Sequence, residues 1–187
     1  MAEEPLEIKK KEVMRHIPLL YSDSWFDRYK AAKRIGDYAE YDNNNKGLYA
    51  PAVEPLSKLL GDSDSEVRAA AARTLAFCAD GSVGEELLKL VKDPSITVRY
   101  NTIFSLGELR VKQAKPALKQ ILKSTEEQVQ IRGVAAWALA KINGEDDLKE
   151  LESVWDDESQ PGAVRLDCKK AAEEARERKK TSFGKPL

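Results

Sequence analysis

Few residues of this 187-residue chain could carry covalent or metal chemistry. It has one histidine, His16, and two cysteines, Cys78 and Cys168. A two- or three-histidine metal site lacks its ligands, and two lone cysteines without a CxxC cannot build a thiolate zinc site. A Ser-His-Asp relay would have to use His16, in a charged segment, with no GxSxG turn to carry the serine. No GxxxxGK[ST] or GxGxxG offers a phosphate cradle. The sequence therefore points to a chain without catalytic residues, without a cofactor and without a metal, and is read as non-enzymatic.

Another residue type does recur with a period. Arginines open five related segments: FDRYKAAKRIG at Arg28, EVRAAAARTLA at Arg68, TVRYNTIFSLG at Arg99, QIRGVAAWALA at Arg132 and AVRLDCKKAAE at Arg165. They are spaced by 40, 31, 33 and 33 residues. Three and seven places after each arginine stand small or apolar residues: Ala31 and Ile35, Ala71 and Leu75, Thr102 and Leu106, Ala135 and Leu139, Cys168 and Ala172. That spacing is one narrow buried face of a helix. A second helix precedes each, marked by apolar pairs four apart: Leu56 and Leu60, Leu87 and Val91, Leu118 and Leu122, Leu151 and Trp155, with His16 and Leu20 in the first slots.

Start and stop signals support the pairing. Ser82 with Glu85, and Thr125 with Gln128, have capping-box spacing. Asp93-Pro94 sets a capping carboxylate before a proline at the first helical position. Asn143-Gly144 marks a helix stop. The polar YDNNNKG at 41–47 explains the long first spacing. No alternating strand pattern competes, so the chain is expected to be all-α: ten helices in five hairpin repeats, at about 6–40, 49–80, 81–111, 112–143 and 144–180. It is read as a single domain over 1–187, with 181–187 as a disordered tail.

The unit APAVEPLSKLLGDSDSEVRAAAARTLA resembles a HEAT repeat, of the short kind found in phycobiliprotein lyases. The resemblance covers roughly residues 6 to 176 and implies an α-α superhelix, a HEAT-like solenoid. In that family a turn aspartate lies six residues before the helix-B arginine, as Asp62 does before Arg68 and Asp93 before Arg99. The implied role of Asp62, Arg68, Asp93, Arg99 and Arg132 is a structural ladder. Repeat one has Ser22 in place of the aspartate, and repeats four and five have two extra turn residues. Lone hairpins cannot bury both apolar stripes, so stacked neighbours share one core and the end repeats turn polar outward, as Lys169 and Lys170 do. HEAT-like deoxyhypusine hydroxylases hold iron through His-Glu pairs. Here His16 is followed by Ile17, which excludes that activity.

On helix B, positions one, five and nine after each arginine face away from the core stripe. In a HEAT-like stack this face lines the concave side. It carries Tyr29, Lys33, Arg73, Phe77, Tyr100, Phe104, Glu108, Trp137 and Lys141. Aromatics with cations at their side suit a protein or peptide partner. Phe77 is expected to be the most buried of them, and Phe104 and Trp137 the most exposed. Trp25 is expected to cover the open end of the stack.

Composition narrows the partner. With 31 basic against 32 acidic residues and a net charge of −1, the phosphate neutralisation that nucleic acid demands is not favoured. No apolar run approaches the ~20 residues of a membrane span. MAEEPLEIKKK lacks the apolar core of a secretory leader. With two unpaired cysteines, a reducing cytoplasmic setting is expected. The expectation is thus a monomeric scaffold or adaptor binding a protein partner. A bilin-lyase-like or chaperone-like modification subunit and a HEAT-like nucleic-acid-binding protein are the alternatives.

Overall fold

The computed structural model describes residues 5–42, 45–142 and 145–183. Among them are ten α-helices: α1 (Pro5–His16), α2 (Trp25–Tyr41), α3 (Lys46–Leu59), α4 (Ser65–Cys78), α5 (Gly84–Leu88), α6 (Ile96–Glu108), α7 (Lys115–Lys123), α8 (Val129–Ile142), α9 (Glu145–Asp156) and α10 (Gly162–Phe183). No strand occurs among the described residues. The architecture is an α-α superhelix of helical hairpins, with the arginine-bearing helices as the second member of each. Contacts gather the chain into two units, Met1–Ser105 and Leu106–Leu187.

The ten small or apolar residues three and seven places after the arginines are all 0% exposed. In the first unit α2 packs on α4 and α4 on α3; in the second α8 packs on α7 and on α10, and α10 on α9. Side chains of one or two heavy atoms at these contacts let the backbones approach closely. At Gly36 an added Cβ would lie 2.4 Å from the Thr74 hydroxyl, and at Gly107 one would lie 2.7 Å from the Trp137 ring and 2.9 Å from the Ala138 backbone. Hydroxyls staple neighbouring helices across the first unit. Thr74, six residues after its arginine, donates to the Ala32 carbonyl (2.9 Å), and Ser105, also six after its own, donates to the Ala72 carbonyl (2.7 Å). Both carbonyls belong to the residue four places after the preceding arginine, so the staple repeats with the sequence period.

Helix starts depart from the sequence expectation in detail. Asp80, not Ser82, accepts the amide of its turn. Among the described residues the Thr125 hydroxyl makes no hydrogen bond, and the Gln128 carbonyl opens α8 by accepting from Ile131 and Arg132. Asp93 accepts the Ser95 amide (2.8 Å) rather than capping directly, so Pro94 falls before α6, which begins at Ile96. At α4 both layers are visible: Asp62 accepts from Asp64 N, and Asp64 accepts from Glu66 N and Val67 N. The 41–47 connector is shorter than expected, because α2 runs through Tyr41 and α3 begins at Lys46. The expected stop at Asn143 and Gly144 lies outside the described residues. α10 runs on to Phe183, and 184–187 lie outside the description.

Candidate functional site

The arginines act first on their own repeat. Arg28 donates from Nη1 to the carbonyls of Ser22 (2.8 Å) and Asp23 (3.0 Å). Arg68 does the same to Asp62 (2.8 Å) and Ser63 (3.1 Å), and Arg99 to Asp93 (2.9 Å) and Pro94 (3.3 Å). Each thereby ties down the turn that precedes its helix. In Arg28 and Arg68 the remaining nitrogens reach the next repeat. Arg28 forks onto Asp62 (2.6 and 2.9 Å), and Arg68 onto Asp93 (2.9 and 3.0 Å). Planar bidentate pairing of this kind is the strong form of the ion pair. Burial pushes the Asp62 carboxyl up, but the Arg28 fork, the Asp64 amide and the charges of Arg28 and Arg68 outweigh it and the net shift is down. Asp93 is held down in the same way against its burial, by the Arg68 fork, the Ser95 amide and the charges of Arg68 and Arg99. Ser22 needs no carboxylate because no helix-B arginine of an earlier repeat precedes it.

Arg132 departs from this ladder. It is almost fully buried; its Nε donates to the Leu122 carbonyl (2.8 Å) and Nη2 to the Gln160 side chain. Arg165 likewise donates from Nε to the Trp155 carbonyl (2.8 Å). Both carbonyls lie ten residues upstream, at the end of the preceding helix. The two extra turn residues of repeats four and five carry the turn carbonyls out of register with the arginine, so its Nε reaches the end of helix A instead. Gln160, held by Asp157 (2.9 Å), stands where repeats two and three present an aspartate.

The outward helix-B residues fall into two groups, one in each unit. In the first unit a cleft of about 240 Å³ is lined by Tyr29, Lys33, Gly36, Asp37 and Glu40 of α2, Glu66, Ala69, Ala70, Arg73, Thr74 and Phe77 of α4, and Thr97 and Asn101 of α6. It exists because α4 presents Ala69 and Ala70 where longer side chains would fill the space. Lys33 pairs with Asp37 (3.1 Å), and Arg73 with Glu40 (2.9 Å). The Arg73 guanidinium also lies over Phe104 (4.4 Å) and Phe77 (5.5 Å), whose rings are 6.0 Å apart. Tyr100 is 40% exposed and stands outside that lining. In the second unit Lys141 pairs with Glu108 (2.8 Å) and lies over Trp137 (5.0 Å).

Phe77 is buried at 8%. Phe104 and Trp137 are only partly exposed, contrary to expectation: a cation covers each ring, and the missing side chain of Gly107 admits the Trp137 ring against the backbone. Trp25 stands nearly half exposed, edge-on to Phe26 at 5.6 Å. The carboxylates Glu40 and Glu66 escaped the sequence reading, because they lie off the one-five-nine stripe and enter only where α4 is cut down to alanine. His16 ends α1 with Nδ1 2.7 Å from the Glu12 carbonyl. Both cysteines are free and buried. Burial pushes each thiol up to about 12, against a small opposing effect of Lys46 at Cys78 and of Arg132 at Cys168.

A repeat of paired helices carrying a turn-binding arginine defines a class of helical-repeat protein. Family models for the HEAT repeat match residues 52–81 and 84–172, together well over half of the sequence. The chain belongs to the HEAT-repeat proteins. Among solved structures it is similar to the CpcE–CpcF complex of phycocyanin lyase from Nostoc sp. (TM-score 0.70, 22% identity, 95% of this chain and 67% of that one). It is also similar to an engineered protein (TM-score 0.68, 22% identity, 93% and 85%). At such identities the likeness is one of fold. Curated relatives are the deoxyhypusine hydroxylases of Aspergillus fumigatus, 32% identical over 75 residues, and of Aspergillus clavatus, 31% identical over the same length. The match takes in 40% of this chain, which spans about a fifth (22%) of each relative.

These relatives overturn the expectation of a non-enzymatic chain. Repeats of this kind occur in an enzyme, so the architecture is no ground for reading the chain as non-catalytic. The residues at hand nevertheless do not fit an iron centre of His-Glu pairs. There is one histidine, and no three His, Cys, Asp or Glu side chains gather into a metal site among the described residues.

Proposed function

We propose that the chain is an interaction module that binds a protein or peptide partner on the helix-B face of its first unit, across α2, α4 and α6. The observation that supports this most is the alanine-floored cleft with two tyrosines, Tyr29 and Tyr100, in and beside it. Among the described residues neither tyrosine has a hydrogen bond, ring contact or ion contact of its own, whereas Phe77 and Phe104 are engaged in packing. Amphipathic rings held on a rigid helix face, with polar groups around them, are the usual anchors of protein recognition. The cleft is smaller than the ~300–1,000 Å³ of a small-molecule pocket, which favours a side chain of a macromolecule over a cofactor.

The test is affinity capture from the native lysate with the whole chain and with a Tyr29→Ala/Tyr100→Ala variant. Neither tyrosine belongs to the buried core, so the melting temperature should hold. The expected outcome is a discrete protein recovered by the wild type and depleted at least tenfold by the variant. Equal recovery by both would overturn the proposal.

A further inference from the structure

The charges around the cleft are unevenly committed. Lys33 is tied to Asp37, and Arg73 to Glu40 and to two phenyl rings. The Glu66 carboxylate lines the same cleft, and among the described residues no cation or donor reaches it. The lining carries two cations against three carboxylates. Groups that would draw an anion are already spent: the amides of Asp64, Glu66 and Val67 at the start of α4 go to Asp62 and Asp64, and the Asp27 amide at the start of α2 goes to Ser24. What remains is an unpaired carboxylate, a tyrosine ring, and the uncommitted polar side chains of Thr97 and Asn101, in a space that admits one long side chain.

We infer that the cleft receives an arginine or lysine side chain of the bound partner. The cationic head lies against Glu66 and over the Tyr29 ring, and the aliphatic stem runs along Ala69 and Ala70. The carboxylate supplies charge pairing, the ring a cation–π contact, and the alanine floor a surface for the stem. This rests on the partner-binding proposal and adds the chemistry of the occupant.

Three capped pentapeptides differing only at the centre, Gly-Ala-Xaa-Ala-Gly with arginine, citrulline or glutamate, can be titrated into the isotopically labelled full chain and followed by NMR. The arginine peptide should shift the amides of Tyr29, Glu66 and Asn101 saturably. The citrulline peptide, of equal shape without charge, should bind at least about threefold more weakly. Glu66→Gln should weaken the arginine peptide about three- to fivefold, the range for one partly exposed ion pair, and leave the rest of the spectrum in place. Shifts by the glutamate peptide as strong as those by arginine, or shifts by none of the three, would overturn the inference. Captured partner that is lost with Tyr29→Ala/Tyr100→Ala but kept with Glu66→Gln removes the basic occupant alone. Partner kept by both variants removes the surface as well.

Discussion

At the scale of single residues, the ladder aspartates make the acid limb of stability predictable. Asp62 and Asp93 have folded-state pKa values below the ordinary 3.8. A depressed carboxylate contributes stability that is fully present above its unfolded pKa and is lost as the pH falls through the folded one. The loss therefore begins below about pH 4, and both contributions are constant between there and neutrality. Asp62→Asn and Asp93→Asn should each lower the melting temperature at pH 7 and flatten its fall below pH 4; an unchanged acid limb would contradict the ladder's role. The thiols give a second expectation. With Cys78 and Cys168 buried and raised to about 12, alkylation of the folded protein at pH 8 should be slower than that of the unfolded chain by more than about a hundredfold, since only exposed thiolate reacts. Rapid labelling of either cysteine in the native protein would contradict the packing described.

At the scale of elements, close helix approach rests on glycine and hydroxyl positions rather than on large apolar side chains. Gly36→Ala forces a methyl onto the buried, hydrogen-bonded Thr74, and Gly107→Ala forces one onto Trp137 and the Ala138 backbone. Each should cost about 1–3 kcal/mol, the range for overpacking. Gly47→Ala in α3 meets nothing within 4 Å and should be neutral or stabilise by up to about 1 kcal/mol through helix propensity. Thr74→Val keeps the shape and removes the staple to Ala32, for a loss of about 1 kcal/mol. Chemical denaturation of the four variants gives the order. Had Gly36→Ala and Gly47→Ala equal effects, close approach between α2 and α4 would not be the constraint.

These elements also show what was legible in the sequence. The buried face could be read residue by residue, because arginine-relative positions three and seven are set by helix geometry alone. The resemblance to HEAT repeats implies a ladder through Asp62, Arg68 and Asp93, but it matches each aspartate to the arginine of its own repeat. The forks of Arg28 onto Asp62 and of Arg68 onto Asp93 instead bridge successive repeats, and Arg28 is not counted in the implied ladder. The fate of Arg132 was hidden. Its partner carbonyl and Gln160 depend on how two extra turn residues fold, which no spacing reveals. The helix-B stripe gave positions on one face but not their accessibility. Arginine over Phe104 and lysine over Trp137 are choices of side-chain direction, and they convert expected contact surface into covered surface. The cleft was illegible for the converse reason: it is made by what Ala69 and Ala70 lack.

For the molecule as a whole, the balance of 31 basic and 32 acidic residues resolves into local pairings. Some build the scaffold, such as the ladder and the Lys115 and Lys119 pairs with Asp147 (2.6 and 3.1 Å). Others surround the cleft and leave Glu66 over. The likeness to a lyase complex and to an engineered chain, both at 22% identity, is one of fold. The fold by itself therefore assigns no function, and the partner-binding proposal rests on the helix-B face of the first unit. A photo-crosslinking residue in place of Tyr100, irradiated in native lysate, tests the central claim most directly, with the same residue at the exposed Lys89 as control. The account predicts one discrete protein adduct at position 100 and none at 89. No adduct at 100, or the same adducts at both positions, would contradict it.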